Sequence, residues 1–410
     1  NVPRFLDQGE ANLEEVLPVP FVQLGVIAAQ GIVTSLRRDI PEEAAKVSSD
    51  LRDRVMAQTE KTIERIEAFK GRLEEEWRPK ANQDFALGPD RYRRMLWAQE
   101  RIDLPLDELE AMGQANLEEN KAAFLETAKQ IDRKKTPQQV MALAEEDHST
   151  ADALLPETEE MLEELRQFLL DKEIITIPSE VRPTVTETPY HFRAWATAAM
   201  NSPGPFEERG DEAYYYVTPV EPDWSEEKAE EWLRYMNRPS LKNVSVHECY
   251  PGHYVHMLHR KLLPSKIGRI VTGYAFTEGW AHYSEQMVLE QGLGEGDSRL
   301  RLLQLQDALL RNCRYLCSMG LHTRGMSVDE ATAFIMENAF MEQGPAAREA
   351  FRGTFDPGYL NYTLGKLFIL QVREKFFEAH PEATLREFHD RLLAGGAPPI
   401  GLLEKFVLAE

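Results

Sequence analysis

The chain has 410 residues, and its 69 acidic side chains outnumber its 47 basic ones, for a formal net charge of −22. This acidic excess argues against nucleic acid or an anionic membrane as a partner, because both require a basic protein surface. A hydrophobic fraction of 42% and a charged fraction of 28% are ordinary for a globular protein with a sizeable core.

The cysteines and the apolar runs bear on the compartment. Three cysteines, Cys249, Cys313 and Cys317, cannot form a disulfide framework, which is typical of a reducing environment. No run approaches the roughly 18 apolar residues that a membrane-spanning helix needs. The chain begins at Asn1 without a visible signal peptide, so a targeting segment would lie outside it. We therefore expect a cytoplasmic protein that binds no membrane; the sequence does not indicate an oligomeric state.

Helical patterns fill the first 170 residues. Pro41-Glu42-Glu43 is typical of a helix start, because proline suits the first turn and acids face its positive end. The amphipathic pattern then predicts one long helix as far as Trp77. Thr136 is a plausible N-cap for a later helix. The other helices predicted here are 21–36, 104–131 and 156–170.

The composition changes near residue 173 to short, β-branched and aromatic segments. Tyr214–Val217 reads as a strand that ends at Pro219, which favours an edge position. Such a strand could pair with an extended peptide, with Tyr215 in contact, or it could be a buried core strand. Helices resume after residue 225, and Ser327 and Glu330 form a capping-box pattern. We expect a mainly α fold with a small sheet or hairpin near residues 174–219.

Two parts of the chain are expected. Residues 1–172 would be an N-terminal helical part that forms one wall of a cleft and could be incomplete at its N-terminus. Residues 173–410 would be a catalytic part that carries the small sheet.

Four of the ten histidines fall between His247 and His259, in a segment that reads as a helix. Metal-binding histidines on one helix are normally three or four residues apart, whereas His247 and His253 are six apart. On a regular helix they would lie about 120° apart around the axis. The intervening Pro251-Gly252 could loop out two residues and return His253 to the first face. His256 and His259 compete as ligands, but both are poorly placed relative to His247.

A third ligand is expected on the next predicted helix. Glu278 is 31 residues after His247, with the small residues Gly279 and Ala281 beside it, which would let the two helices approach closely. Two histidines and one carboxylate form a familiar zinc set, with Glu248 placed to act as general base. His282 is one turn from Glu278 and could support a ligand, and Glu285 could orient a ligand or simply face solvent.

At these residues the chain resembles the bacterial family known as domain of unknown function 885, a zincin-like metallopeptidase group. The resemblance rests on His-Glu-x-x-Pro-Gly-His at His247–His253 and on Glu-Gly-Trp-Ala-x-Tyr-x-Glu at Glu278–Glu285. It implies a helical gluzincin-type fold with a deep cleft, zinc on His247, His253 and Glu278, and water activation by Glu248. The extra histidines His256 and His282, and Tyr254 after the second ligand, depart from the family pattern and could alter metal preference.

Four further residues are candidate helpers. Tyr359, Tyr362 and His322 could each donate a hydrogen bond to an oxyanion, although core packing is the alternative for the tyrosines and a solvent-facing helix end for the histidine. Arg314 could hold a peptide carboxylate by a bidentate contact, or it could form a structural ion pair.

We therefore expect a zinc metallopeptidase that cleaves short peptides, as a carboxypeptidase or oligopeptidase. Two alternatives stay open at this point. One is a metal-dependent hydrolase of a non-peptide amide or ester, and the other is a helical binding protein whose site is catalytically dead.

Overall fold

The computed structural model describes residues 2–193, 196–207 and 212–409, and most of them are helical. The elements, in chain order, are α1 Val2–Ala11, α2 Val19–Ala44, α3 Ser49–Arg72, α4 Pro89–Glu100, α5 Leu106–Ile131, α6 Pro137–Glu145, α7 Leu154–Asp171, β1 Thr184–Glu187, α8 Tyr190–Arg193, β2 Ala198–Asn201, β3 Tyr214–Val217, α9 Glu226–Tyr235, α10 Arg238–Glu248, α11 His253–Leu262, α12 Lys266–Ile270, α13 Tyr274–Glu290, α14 Ser298–Thr323, α15 Val328–Ala339, α16 Gln343–Phe355, α17 Asn361–Ala379, α18 Leu385–Leu393 and α19 Leu403–Val407. The prediction of a mainly α chain with a small sheet is confirmed.

The chain forms two compact units. The first comprises Asn1–Ala86 with Pro189–Ala196, and the second comprises Leu87–Thr188 with Thr197–Glu410. This division differs from the predicted one after residue 172. The reason is that α5 packs along α14, so the helices between residues 87 and 172 belong to the larger, second unit.

In the first unit, α2 packs against α3 through a small apolar cluster that includes Val33, Ile63 and Ile66. The predicted helix start at Pro41 is wrong, because Pro41 lies within the last turn of α2. The expectation that no segment could cross a membrane also needs correction. Among the described helices α2 is long and apolar enough to do so, although core helices and signal sequences share these properties.

The second unit is organised around the contact between α13 and α17. A Cβ on Gly279 would lie 2.4 Å from the backbone of Gly365, and a Cβ on Gly365 would lie 1.7 Å from the carbonyl oxygen of Ala275. Glycine is therefore required on both helices where they touch. The close approach expected at Gly279 is thus made to α17, and not to the helix that carries His247.

The start of α13 is held by a buried acid. Glu100, at the end of α4 and 1% exposed, accepts hydrogen bonds from the backbone N–H groups of Ala275 and Ile400. The first N–H groups of a helix have no partner within it, so this carboxylate satisfies one of them. It thereby sets the position of the helix that carries Glu278.

Within the described residues the sheet has three strands in the order β1-β3-β2, with β3 parallel to β1 and antiparallel to β2. The interpretation of Tyr214–Val217 as an edge strand is therefore wrong, because β3 is paired on both sides. Elsewhere the predicted caps are confirmed: Thr136 forms a capping box with Gln139 at the start of α6, and Ser327 forms one with Glu330 at α15.

Candidate metal centre

The segment with the two histidines is broken rather than bulged. Helix α10 ends at Glu248 and α11 begins at His253, so the predicted continuous helix is two helices with four residues between them. Gly252 makes this possible, since a Cβ at that position would lie 1.7 Å from the carbonyl oxygen of His247. The backbone N–H of Gly252 donates to the carbonyl of Val246 at 3.0 Å, which folds the break back onto α10.

Trp280 ties this break to the next helix. Its indole N–H donates to the carbonyl of Pro251 at 3.0 Å, with that of Gly252 at 3.3 Å, and the side chain is completely buried. Because Trp280 lies two residues after Glu278 on α13, this contact holds the helix with the third predicted ligand against the turn before His253.

The three predicted ligands converge. One ligand atom from each of His247, His253 and Glu278 lies within 4.8 Å of the others. Glu278 Oε2 is 3.4 Å from Nε2 of His247 and 3.5 Å from Nε2 of His253. The two imidazole rings are 4.8 Å apart and nearly perpendicular.

The donor set fits a zinc ion. Glu278 Oε2 is buried and has no hydrogen-bond partner among the described residues, although buried carboxylate oxygens are normally satisfied. Two imidazole nitrogens and one carboxylate oxygen are ligands that zinc prefers. An ion held among the three atoms would satisfy the oxygen that the protein leaves without a partner.

The charges of the cluster are mutually dependent. Burial alone would lower the pKa of His247, but the nearby carboxylates of Glu278 and Glu285 outweigh it and raise the pKa to about 9. Burial alone would raise the pKa of Glu278, yet the charges of His253 and His247 hold it well below its usual range. Without a metal, the site therefore keeps a proton on His247 between two carboxylates.

Glu285 lies behind the cluster. It is completely buried, and its Oε1 is 2.6 Å from Nδ1 of His247 and 2.9 Å from Nη2 of Arg311. Nδ1 of His282 lies 3.2 Å from its other oxygen. Despite its burial, the charges of Arg311 and His282 keep the pKa of Glu285 well below the ordinary value. Glu285 therefore does not face solvent. Of its two predicted roles, the structure supports the one in which it orients a predicted ligand, His247.

The competing histidines lie elsewhere. Nε2 of His256 is 3.3 Å from the carbonyl oxygen of Gly396, and Nε2 of His259 is 2.8 Å from that of Thr176. Burial lowers the pKa of His256 to about 3, so its ring is neutral. Neither residue belongs to the cluster of His247, His253 and Glu278.

Glu248 follows His247 at the end of α10. Its Oε2 accepts a hydrogen bond of 2.9 Å from the backbone N–H of Met200 on strand β2. Met200 opposes Tyr215 in the sheet, and this N–H points away from β3. The carboxylate predicted to act as general base is therefore fixed to the outer side of the sheet.

Among the predicted helpers, Tyr362 lies beside the cluster. Its ring stacks on that of His247, with centroids 6.4 Å apart and planes 23° apart. Tyr359 is completely buried, its hydroxyl has no hydrogen-bond partner, and a Cβ on Gly353 would lie 2.3 Å from that oxygen. Tyr362 is thus the better placed of the two tyrosines.

The remaining three predicted residues are held by the fold. His322 is buried, not exposed to solvent at a helix end, and its Nε2 lies 2.8 Å from the carbonyl of Gly353. Arg314 makes two hydrogen bonds of 2.8 Å to Glu349. Tyr215 is completely buried, and its hydroxyl lies 3.2 Å from that of Ser245. Arg314 thus forms the ion pair that was its alternative role, and Tyr215 lies in a buried strand. The binding roles predicted for these residues remain predictions.

Three cationic residues near the site were not singled out in the sequence. Arg311 contacts Glu285, Arg352 lies beside Tyr362, and the buried Nζ of Lys366 has no hydrogen-bond partner. Arg311 and Arg314 are three residues apart on α14, so a shared helix face was a usable signal. Nothing local marks Lys366 as buried. A cavity of about 500 Å³ is lined by Phe376 of α17, by residues of α18 and by the loop between these helices, and none of its lining residues belongs to the cluster.

Comparison with known proteins assigns the chain to a family. Residues 1–407 match the family described as "Bacterial protein of unknown function (DUF885)", and the chain belongs to that family. A solved structure from Shewanella oneidensis, titled as a "putative lipoprotein of unknown function", superposes with a TM-score of 0.80 at 22% identity, over 100% of this chain and 76% of that one. A solved structure from Colwellia psychrerythraea, titled a "putative lipoprotein", superposes with a TM-score of 0.76 at 21% identity, over 88% of this chain and 63% of that one. No curated protein matches the chain.

The expectation of a cytoplasmic protein is contradicted by these comparisons. Both of these structures are titled as a "putative lipoprotein", and α2, near the N-terminus, is an apolar helix of the kind found in signal sequences. The low cysteine count on which the expectation rested does not distinguish compartments, since a chain of this size needs no disulfides to fold.

Proposed function

We propose that this protein is a zinc-dependent peptidase with a zincin-like arrangement that hydrolyses short peptides. The observation that carries the proposal is the convergence of His247, His253 and Glu278 on one point, where a buried carboxylate oxygen lacks a partner. The carboxylate of Glu285 on Nδ1 of His247 adds support, because histidines that bind metals usually donate their other N–H to such a group.

The remaining groups have roles that suit amide hydrolysis. A bound zinc ion would supply a Lewis acid that polarises a carbonyl group and makes water more acidic. Glu248 would accept a proton from the attacking water at a carboxylate oxygen and pass it to the leaving amine. Tyr362 would donate its hydroxyl hydrogen to the oxyanion, since the centroid of its ring lies 6.4 Å from that of His247.

The substrate strand is better assigned to β2 than to β3. Strand β3 is paired on both sides, whereas Met200 of β2 turns its N–H towards Glu248. A peptide that runs beside β2 would place a carbonyl group next to this carboxylate. The peptide carbonyl would compete with Glu248 for the N–H of Met200 and would replace it as the hydrogen-bond acceptor when substrate enters.

Metal analysis and hydrolysis of short peptides test the proposal together. We expect about one zinc per chain in the purified protein, and loss of that zinc in His247→Ala. Glu248→Gln should keep the zinc and lose about 10²–10⁴-fold in kcat, since it removes only the proton acceptor. Glu290→Gln, on the exposed side of α13, is the matched control. Equal zinc in wild type and His247→Ala, or unchanged rates in Glu248→Gln, would refute the assignment.

A peptide-length series separates a peptidase from a hydrolase of other amides or esters. Loss of rate as peptides are shortened indicates that residues beyond the scissile bond are bound. Equal rates on short peptides and on simple amides would favour the second class of enzyme.

We further propose that the protein works outside the cytoplasm, exported or attached to a membrane. The support is the description of the similar structures as lipoproteins and the apolar helix α2. Fractionation of cells that express the native gene tests this, and recovery of the protein in the cytoplasmic fraction alone would contradict it.

A further inference from the structure

Three arginines surround the ring of Tyr362. The guanidinium carbons of Arg311, Arg314 and Arg352 lie 5.9, 5.3 and 5.9 Å from the centroid of that ring. The same ring stacks on His247, so the three cations adjoin the candidate metal centre. Each of the three is paired with one carboxylate, so a ligand could use only the donors that these pairs leave free, and such donors suit an anionic group.

Each arginine leaves part of its donor set unused. A guanidinium has five N–H donors, and a carboxylate engages two of them in a bidentate pair. Arg314 uses Nε and Nη2 on Glu349. Arg352 uses the same two nitrogens on one oxygen of Asp356, and its Nη2 also donates to the hydroxyl of Tyr274 at 3.5 Å. For both residues, Nη1 donates no hydrogen bond to any of the described residues. Nε of Arg311 is buried without a partner.

Arg352 is the residue best able to reach a ligand. Its side chain is 31% exposed, compared with 13% for Arg314 and 11% for Arg311. Its carboxylate partner, Asp356, lies one turn away on the same segment, so this ion pair ties no other element together. Arg314, by contrast, joins α14 to Glu349 of α16.

The distances suit a peptide that either ends near the cleaved bond or carries an acidic side chain there. An extended peptide advances about 3.5 Å per residue. A carboxylate held at the Tyr362 ring would therefore lie about one to three residues beyond a carbonyl group held at the cluster of His247, His253 and Glu278.

We infer that Arg352, with Arg314 and Arg311 beside it, binds a carboxylate of the substrate, so that the preferred substrates are peptides with a free C-terminus or an acidic residue close to the scissile bond. This inference rests on the proposed peptidase function.

Matched peptides test the inference. One set differs only at the C-terminus, free acid against amide, and a second set of amides differs only in an acidic against a neutral side chain. We expect kcat/KM to be about 10- to 100-fold higher for peptides that carry the carboxylate, as for loss of a charged hydrogen bond. Preference in the first set alone identifies the C-terminus as the source, and preference in the second identifies the side chain.

Variants identify the residue. Arg352→Gln should lose the preference through a higher KM for the peptides that carry the carboxylate, and Arg352→Lys should keep part of it. Arg373→Gln is the matched control, since Arg373 also lies over a tyrosine ring and pairs with one acid, Glu290. A wild-type enzyme indifferent to the carboxylate, or a preference that survives in Arg352→Gln, would overturn the inference.

A binding measurement separates this inference from the peptidase proposal. Calorimetry with Glu248→Gln protein compares the affinity for the acid and amide forms of one peptide, without turnover. Tighter binding of the acid, lost in the double variant with Arg352→Gln, supports the carboxylate site even if wild type cleaves no peptide. Equal affinity for the two forms counts against the site even if wild type is an active peptidase.

Discussion

Glu285 Oε1 lies 2.6 Å from Nδ1 of His247, and the carboxylate is completely buried. The contact turns the other ring nitrogen, Nε2, towards Glu278 and towards the point where the predicted ligands converge. Arg311 binds the same oxygen of Glu285, so the position of the His247 ring depends on a chain of three residues from α14, α13 and α10.

Removal of the negative charge at Glu285 should weaken metal binding. We expect Glu285→Gln to bind zinc about 10- to 100-fold more weakly than wild type, as is usual when the residue that orients a histidine ligand is replaced. Competition with a chelator measures the affinity, and Glu290→Gln on the exposed face of the same helix serves as control. Circular dichroism checks that both variants are folded, and equal zinc affinity in all three proteins would refute the role of Glu285.

Zinc binding should release a proton. Burial opposes the charge on His247, but Glu278 and Glu285 raise its pKa to about 9, so the metal-free protein holds a proton there at pH 7.5. A histidine must be neutral to bind a metal, so that proton leaves when zinc binds. We expect about one proton per zinc at pH 7.5, falling towards zero above pH 10, and apparent affinity that rises with pH up to about 9.

Calorimetry in buffers of different ionisation enthalpy counts these protons. Glu285→Gln provides an internal comparison: it removes one of the two partners that raise the pKa of His247, so it should release fewer protons at pH 8. Binding at pH 7.5 with no proton release would show that His247 is neutral in the metal-free site.

Gly252 should tolerate no side chain. A Cβ there would lie 1.7 Å from the carbonyl oxygen of His247, within the backbone that shapes the break. We expect Gly252→Ala to cost about 3 kcal/mol or more of unfolding free energy and to lower zinc occupancy, because His253 is displaced. Urea unfolding and metal analysis measure the two effects.

Gly344 provides the control for that substitution. It is exposed in the first turn of α16, and a Cβ there would meet no atom within 4 Å. Gly344→Ala should change stability by less than about 1 kcal/mol, most simply as a small gain. Similar losses in both variants would mean that the tight approach at Gly252 is unimportant.

What could be predicted from the sequence depended on local rules. The helical content follows from periodicity, and the grouping of His247, His253 and Glu278 follows from the spacing of ligand types. The form of the break did not follow, because it depends on how closely the backbone of Gly252 approaches a carbonyl five residues earlier. The pairing of Arg314 with Glu349 lies equally beyond local patterns, since the two are brought together by the packing of separate helices.

Lys366 illustrates the same limit and carries the last prediction. Its side chain is 1% exposed, Nζ has no hydrogen-bond partner, and it lies on α17 directly after Gly365. Burial is the largest effect on its pKa, which falls from 10.5 to about 8 even though Glu285 attracts the charge. The folded protein therefore binds this proton less tightly than the unfolded chain does.

The sign of the pH dependence follows from that difference. Between about pH 8 and 10.5 the unfolded chain holds a proton that the folded protein has lost, so the cost of the buried lysine is complete below pH 8 and disappears as pH rises to 10.5. At about 1.4 kcal/mol per pKa unit the cost is on the order of 3 kcal/mol. Metal-free Lys366→Met should thus be more stable than wild type at pH 7, with a gain that shrinks by pH 10. Lys375→Met, an exposed position on the same helix paired with Glu404, should show neither effect. Urea unfolding at pH 7 and at pH 10 measures these differences in stability. A loss of stability in Lys366→Met at pH 7 would show that attraction to Glu285 outweighs the burial of the charge.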